Sequence, residues 1–195
     1  LVSSVIGNTS QLDETTPFSV SQNLNYYYTL NETNIFAFEA QHLLKDEDPF
    51  YNAIIEDKEN YESTGESLGL DGDQLDYNIN QNRRIKSSQL DAKLDYYYII
   101  NPKSNLNVTF GSIFSHQKFN SNLFQFLDNG LTSNPTPNFN NGLAINDIEY
   151  NFKDLYLGAH YRLKVGKFTI TPGFSLHSYG NNNTQFGQEF KDDFF

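Results

Sequence analysis

Between Phe18 and Leu30 the chain alternates. Phe18, Val20, Leu24, Tyr26, Tyr28 and Leu30 take the even positions, interrupted only by Gln22. Ser19, Ser21, Asn23, Asn25, Tyr27 and Thr29 take the odd ones. Successive side chains of a strand point to opposite faces, so a period of two gives one apolar and one polar face only if the segment is extended. The pattern resumes after Asn31-Glu32-Thr33-Asn34, where Phe36, Phe38, Ala40 and Leu44 oppose Glu39 and Gln41. Two matched apolar faces joined by a short turn predict a β-hairpin.

The design recurs twice. Leu90, Ala92, Leu94, Tyr96, Tyr98 and Ile100 alternate with Gln89, Asp91, Lys93, Asp95 and Tyr97. A turn at Asn101-Pro102-Lys103-Ser104-Asn105 leads into Leu106, Val108, Phe110 and Phe114. In the third hairpin Leu155, Leu157, Ala159, Tyr161 and Leu163 alternate with Asp154, Tyr156, Gly158, His160 and Arg162. It turns at Lys164-Val165-Gly166-Lys167 and returns through Phe168, Ile170, Pro172, Phe174 and Leu176. Pro172 cannot donate a ladder hydrogen bond, so a bulged position is expected there. The hairpins are placed at about 18–44, 86–117 and 154–179. Long polar connections are placed at about 45–73 and 118–147, the first with room for a short helical turn. The fold class is all-β, an antiparallel meander of long hairpins with short turns at one end and long loops at the other.

Composition narrows the chemistry. The chain has no Cys, which excludes disulfides and thiolate sites. It has no Met, no basic leader and no evident stop, and reads as an internal piece of a longer protein. Its net charge of −11 is concentrated between Asp46 and Asp76, where eleven acidic residues accompany one lysine, Lys58. No basic nucleic-acid footprint exists, so nucleic acid is not an expected partner. No continuous apolar run is long enough for a transmembrane helix, but a transmembrane strand signals itself by alternation.

Two environments reward such strands. A soluble sandwich buries the apolar face in a core. An outer-membrane barrel turns it to lipid and keeps the polar face around a wet lumen. Four features favour the barrel. The strands run to roughly 11–13 residues, and about 9–11 suffice to cross a bilayer when tilted. Their polar face is mostly Ser, Thr, Asn, Gln and Tyr. Short turns alternate with long loops, as periplasmic turns and extracellular loops do. Tyrosines lie on the apolar face beside the short turns, and a ring with an apolar body and a polar tip suits the boundary between hydrocarbon and headgroup. The phrases LNYYYTLN (Leu24–Asn31) and LDYYYIIN (Leu94–Asn101) are then two strands meeting one boundary, with Tyr26, Tyr28, Tyr96, Tyr98 and Tyr161 in a membrane-interface girdle. Tyr27 and Tyr97 point to the lumen. The fragment is expected to be part of a large transmembrane β-barrel, forming a curved open sheet by itself.

The stretches LNYYYTLNETNIFAFEAQHLLKDEDPFYNA, LDYYYIINPKSNLNVTFGSIFSHQKFN and DLYLGAHYRLKVGKFTITPGFSLHSY resemble the barrel of TonB-dependent outer-membrane receptors. They are most similar to those of Bacteroidota that carry a carboxypeptidase-regulatory-like domain before the plug. The resemblance runs from about Thr16 to Tyr179. It implies a barrel of about 22 strands in a Gram-negative outer membrane. It also implies a plug, outer-membrane lipid as a partner, and energy from the TonB system through parts of the protein outside this chain. A surface lipoprotein is a further partner implied. The function implied is import of a bulky nutrient such as a siderophore, glycan, peptide or vitamin. The alternative is a non-transporting outer-membrane or surface β-protein that binds through its long loops.

Little points to catalysis. Asp71, Asp73 and Asp76 form an oxygen-rich stretch that makes a weak calcium candidate, but the closing Glu of a twelve-residue calcium loop is absent. His42 and His116 have apolar-face parity near the long-loop ends of their strands, which suits an interface. His160 and His177 have polar-face parity, with His160 expected near Thr171 and His177 near Asp154. Glu39, Asp91, Lys93, Asp95, His160, Arg162 and His177 are expected to join a polar network on the lumen face, where pairing offsets desolvation. No serine or glutamate is placed to complete a hydrolase, no phosphate loop or zinc spacing occurs, and no cofactor or enzyme activity is expected.

Overall fold

The computed structural model describes residues 8–135 and 145–194. The chain is an all-β protein of long antiparallel strands in an open sheet. Its strands are β1 (Thr9–Glu14), β2 (Phe18–Asn31), β3 (Asn34–Glu47), β4 (Phe50–Ile55), β5 (Tyr77–Asn101), β6 (Ser104–Phe126), β7 (Thr132–Ser133), β8 (Ile145–Val165), β9 (Phe168–Ile170), β10 (Gly173–Gln185) and β11 (Gln188–Phe194). A short 3-10 turn (Lys58–Tyr61) leads into one helix, α1 (Glu62–Leu68). No helix among the described residues is long and apolar enough to cross a membrane, which says nothing about crossing by strands.

The chain divides into two compact units. The second holds residues 19–45, 87–117 and 149–195. Here β2, β3, β5, β6, β8, β10 and β11 lie side by side, and β9 pairs with β8. Four two-residue turns join consecutive strands, and their chemistry is local. Asn31 Oδ1 accepts the Thr33 N–H at 3.0 Å, and Asn101 Oδ1 accepts the Lys103 N–H at 2.9 Å. An asparagine that bonds the backbone two residues on imitates a turn with its own side chain. The asparagine ending each YYY phrase is therefore the residue that turns the chain. Neighbouring hairpins are also tied at their tips: the Thr33 carbonyl accepts from Ile99 N–H and the Lys103 carbonyl from Lys164 N–H, both at 2.7 Å.

The third hairpin departs from expectation by one pair. Gly166, at φ 63°, and Lys167 form the turn, so Val165 pairs with Phe168 and Leu163 with Ile170. Glycine at the first central position is what a II′ hairpin turn demands. The strand breaks at Thr171-Pro172, where the Pro172 carbonyl still accepts from Tyr161 N–H at 2.9 Å. Asn181–Gln185, beyond the expected end of the third hairpin at about 179, continue β10 and pair with β11. The closing turn has positive φ at both Phe186 (50°) and Gly187 (75°), the I′ signature. Phenylalanine there conceals the turn from a reading based on Asn-Gly or Asp-Gly.

The first unit holds residues 1–18, 46–86 and 118–148. Much of what reads as loop is strand. β4 lies between β1 and β5, with Asn52 opposite both Leu12 and Asn80. Residues 118–126, placed in the long 118–147 connection, extend β6, while 136–144 lie outside the described residues. Polar side chains hide these strands: Asn52 Nδ2 donates to Asn78 Oδ1 at 2.6 Å and Asn80 Oδ1 at 2.8 Å, and Gln81 Nε2 to Ser121 Oγ at 2.9 Å. Such ladders stabilise a sheet without the apolar alternation that betrays one.

The acidic stretch is folded rather than loose. Lys58 Nζ donates to the carbonyls of Gly72, at 2.6 Å, and Gln74. Fully buried Gln125 accepts Asp71 N–H at 2.7 Å and donates to the Asp71 carbonyl at 3.1 Å. The Tyr77 ring lies on Gly65, where an added Cβ would come within 2.4 Å of the phenol oxygen. Gly65→Val is expected to cost about 1–3 kcal/mol by overpacking and to open the 58–76 segment to proteolysis near Lys58. Burial, then the charges of Glu62 and Glu66, raise the Tyr77 pKa above 10.0. Its stabilising contribution is present below the unfolded value and lost as pH rises through the folded one. An ultraviolet titration of Tyr77→Phe should lose one late-ionising phenol relative to wild type.

Candidate functional site

Side chains within the second unit sort by parity. Leu24, Leu94, Phe110, Leu157 and Leu176 are 56, 41, 56, 45 and 65 % exposed. On the opposite face Asp95 and Asp154 are each 5 % exposed. Only Ala37, Ala53, Leu70 and Tyr77 are buried hydrophobic residues among those described. The molecule thus buries carboxylates and exposes leucines.

The polar face is built around Lys93. Its Nζ lies 3.2 Å from Glu39 Oε2 and 3.5 Å from Asp95 Oδ2. Asp95 also accepts from Asn107 Nδ2 at 3.3 Å and from the Thr109 hydroxyl. A buried carboxylate persists only when its lone pairs are met in this way. Asn107 and Thr109 have the right parity but carry no charge, so charge-based reading misses them. Beside the network, a recess of about 300 Å³ is lined by Asn23, Asn25, Gln41, Asp91 and Tyr156.

His177 belongs to a second cluster. Its Nδ1 lies 3.1 and 3.0 Å from the two oxygens of Asp154. The ring is stacked between Tyr156 and Tyr179, with both centroid distances 5.3 Å. The carboxylate fixes one ring nitrogen and the flanking aromatics fix the plane. Tyr156 in turn covers Gly111, where a Cβ would sit 2.1 Å from the ring. His160 lies against Gly173 rather than Thr171, because the turn is one pair shorter. Asp91 accepts from Gln89 Nε2 at 3.2 and 3.1 Å, apart from the Lys93 network. Arg162 is exposed and has no ion pair among the described residues.

On the apolar face, Tyr26, Tyr28, Tyr98 and Tyr161 are exposed, while Tyr96 is half-buried against Phe36, with ring centroids 4.9 Å apart. The Tyr96 hydroxyl donates to Asn34 Oδ1 beside the first short turn. Tyr27 is 67 % and Tyr97 38 % exposed.

Asp71, Asp73 and Asp76 do not converge as a metal site. Asp71 accepts from Asp73 N–H and Gln74 Nε2, each at 3.0 Å, so its carboxylate closes the turn itself. No group of three or more potential ligands is positioned for a metal among the described residues. Within the first unit Arg84 grips Asp46 through Nε at 3.1 Å and Nη2 at 2.9 Å, which holds the exposed carboxyl below its usual pKa.

No family model and no curated protein matches the chain.

The Lys93 network is testable by substitution. Asp95→Ala, which takes the carboxylate from the Thr109 hydroxyl and leaves Lys93 with Glu39 alone, is expected to cost about 1–3 kcal/mol. A double-mutant cycle with Thr109→Val should give a coupling of about 0.5–3 kcal/mol, read from urea unfolding in detergent. Additivity of the two changes would disprove the contact.

Proposed function

We propose that this chain is a stretch of the wall of an outer-membrane β-barrel of the TonB-dependent receptor type, which imports a bulky nutrient. One observation carries the reading: exposed leucine, phenylalanine and tyrosine on one face of long strands, with buried, paired carboxylates on the other. Soluble proteins rarely expose contiguous apolar patches larger than a few hundred Å². A lipid-facing sheet does so by necessity, because hydrocarbon is the solvent that its outer side chains meet. Backbone pairing satisfies the polar groups that hydrocarbon cannot. The resemblance of the three long hairpins to TonB-dependent receptors supplies the transport reading. The carboxylates of the polar face, Glu39, Asp91, Asp95 and Asp154, outnumber its cations Lys93 and Arg162, a balance that favours cationic or metal-chelated cargo.

The chain has no Trp, so one introduced tryptophan reports its own surroundings. In vesicles containing brominated lipid, Leu94→Trp and Leu157→Trp should be strongly quenched and Asn107→Trp should not. Equal quenching at all three positions, or a folded monomer without detergent, would overturn the membrane reading. For transport, growth on a bulky nutrient that requires this chain should fail in cells deleted for TonB. Growth independent of TonB would leave a wall without energised import.

A further inference from the structure

The apolar face changes character at one height on adjacent strands of the second unit. On β8 the outward positions Tyr161, Leu157 and Leu155 are followed by Lys153 and Asn151; on β6, Phe110 and Phe114 are followed by His116; on β5, Leu94 and Leu90 are followed by Ser88. Eight residues separate Tyr161 from Lys153, about 26 Å of strand at ~3.3 Å each. Tilted by about 35–45°, that length rises about 20 Å, most of the ~25 Å height of a barrel's apolar band. At this boundary a groove of about 420 Å³ opens, with Leu90 and Phe114 on one side and His116, Lys153, Asn182 and Lys191 among its other walls.

We propose that this groove holds the phosphorylated headgroup of a membrane lipid, with its acyl chains against Leu90 and Phe114. The inference rests on the reading that the apolar face meets lipid. The groove matches such a ligand at both ends. Lys191 stands opposite Asn182, and Asp193 opposite Gly180, across the β10–β11 pair. Gly180 lets the Lys153 stem lie flat, since a Cβ there would fall 2.1 Å from Lys153 Cε. The ammonium groups of Lys153 and Lys191 are each 3.9 Å from Asp193, beyond hydrogen-bond reach, so both retain donors for a phosphate. Among the residues that line the groove two lysines stand against one carboxylate, with Glu189 beyond Asn182 and Glu149 beyond His116 at its rim, and the two ammonium groups lie where headgroups lie. Asn182 donates through Nδ2 to Glu189 at 2.7 Å, which fixes its side chain beside Lys191.

The test uses the full chain in phosphatidylcholine vesicles with and without diphosphoryl lipid A, followed by mild detergent extraction and native mass spectrometry. Wild type should retain the phosphorylated lipid. The double variant K153Q/K191Q should retain it about thirtyfold more weakly, while D193N should retain it at least as well as wild type. Inorganic phosphate should not displace it. Equal retention by wild type and K153Q/K191Q, or displacement by inorganic phosphate, would overturn the proposal. Quenching of Leu157→Trp in the same vesicles separates the two failures. Intact quenching with unchanged retention sinks only the headgroup site, whereas absent quenching sinks the membrane reading and the headgroup site with it.

Discussion

Backbone pairing between long antiparallel strands is the constraint on which the rest of this molecule depends. A strand of 25 residues such as β5 has a donor and an acceptor at nearly every position, and each needs a partner. Once neighbouring strands supply those partners, side chains need not form a conventional core. That freedom lets leucine and phenylalanine face outward while Asp95 and Asp154 are buried. The buried carboxylates must then find partners on their own face, which Lys93, Asn107, Thr109 and His177 provide.

The repeated YYY phrases follow from the same constraint. Each ends in an asparagine whose side chain turns the backbone. The tip of each hairpin bonds to the next strand, which sets adjacent turns at a common level. Rings a fixed number of residues before those turns therefore line up. Tyr96 resting on Phe36 and bonding Asn34 is the visible consequence. The alignment is made by hydrogen bonds, and the tyrosines occupy the row it creates.

Legibility varied with the kind of interaction. The three hairpins were readable because an apolar–polar period of two is a direct imprint of facing two environments. The pairing of His177 with Asp154 was readable from parity and approximate register. β1, β4 and residues 118–126 of β6 were not, because they are held by backbone bonds and amide ladders such as Asn52–Asn78–Asn80. Polar residues make β1 and 118–126 look like loop, whereas β4, mostly apolar (FYNAII), shows no alternation over its six residues. The β10–β11 turn was hidden because phenylalanine occupies a positive-φ position. The acidic stretch reads as part of a long polar connection, yet Lys58, Gln125 and the Tyr77–Gly65 contact fix it.

By itself the sequence determined that the chain is built from antiparallel hairpins with one apolar and one polar face, since side-chain alternation follows from strand geometry alone. It also determined where three of the short turns lie, because Asn31, Asn101 and Gly166 carry the turn chemistry locally. Only the tertiary structure decided which polar residues meet across long separations in the chain. Glu39 and Lys93, or Asp71 and Gln125, lie 54 residues apart in both cases, and partners at that separation are set by strand order and register. It alone decided that Lys153, Lys191 and Asp193 gather at the end of the apolar band, because their meeting depends on β11 folding back beside β10.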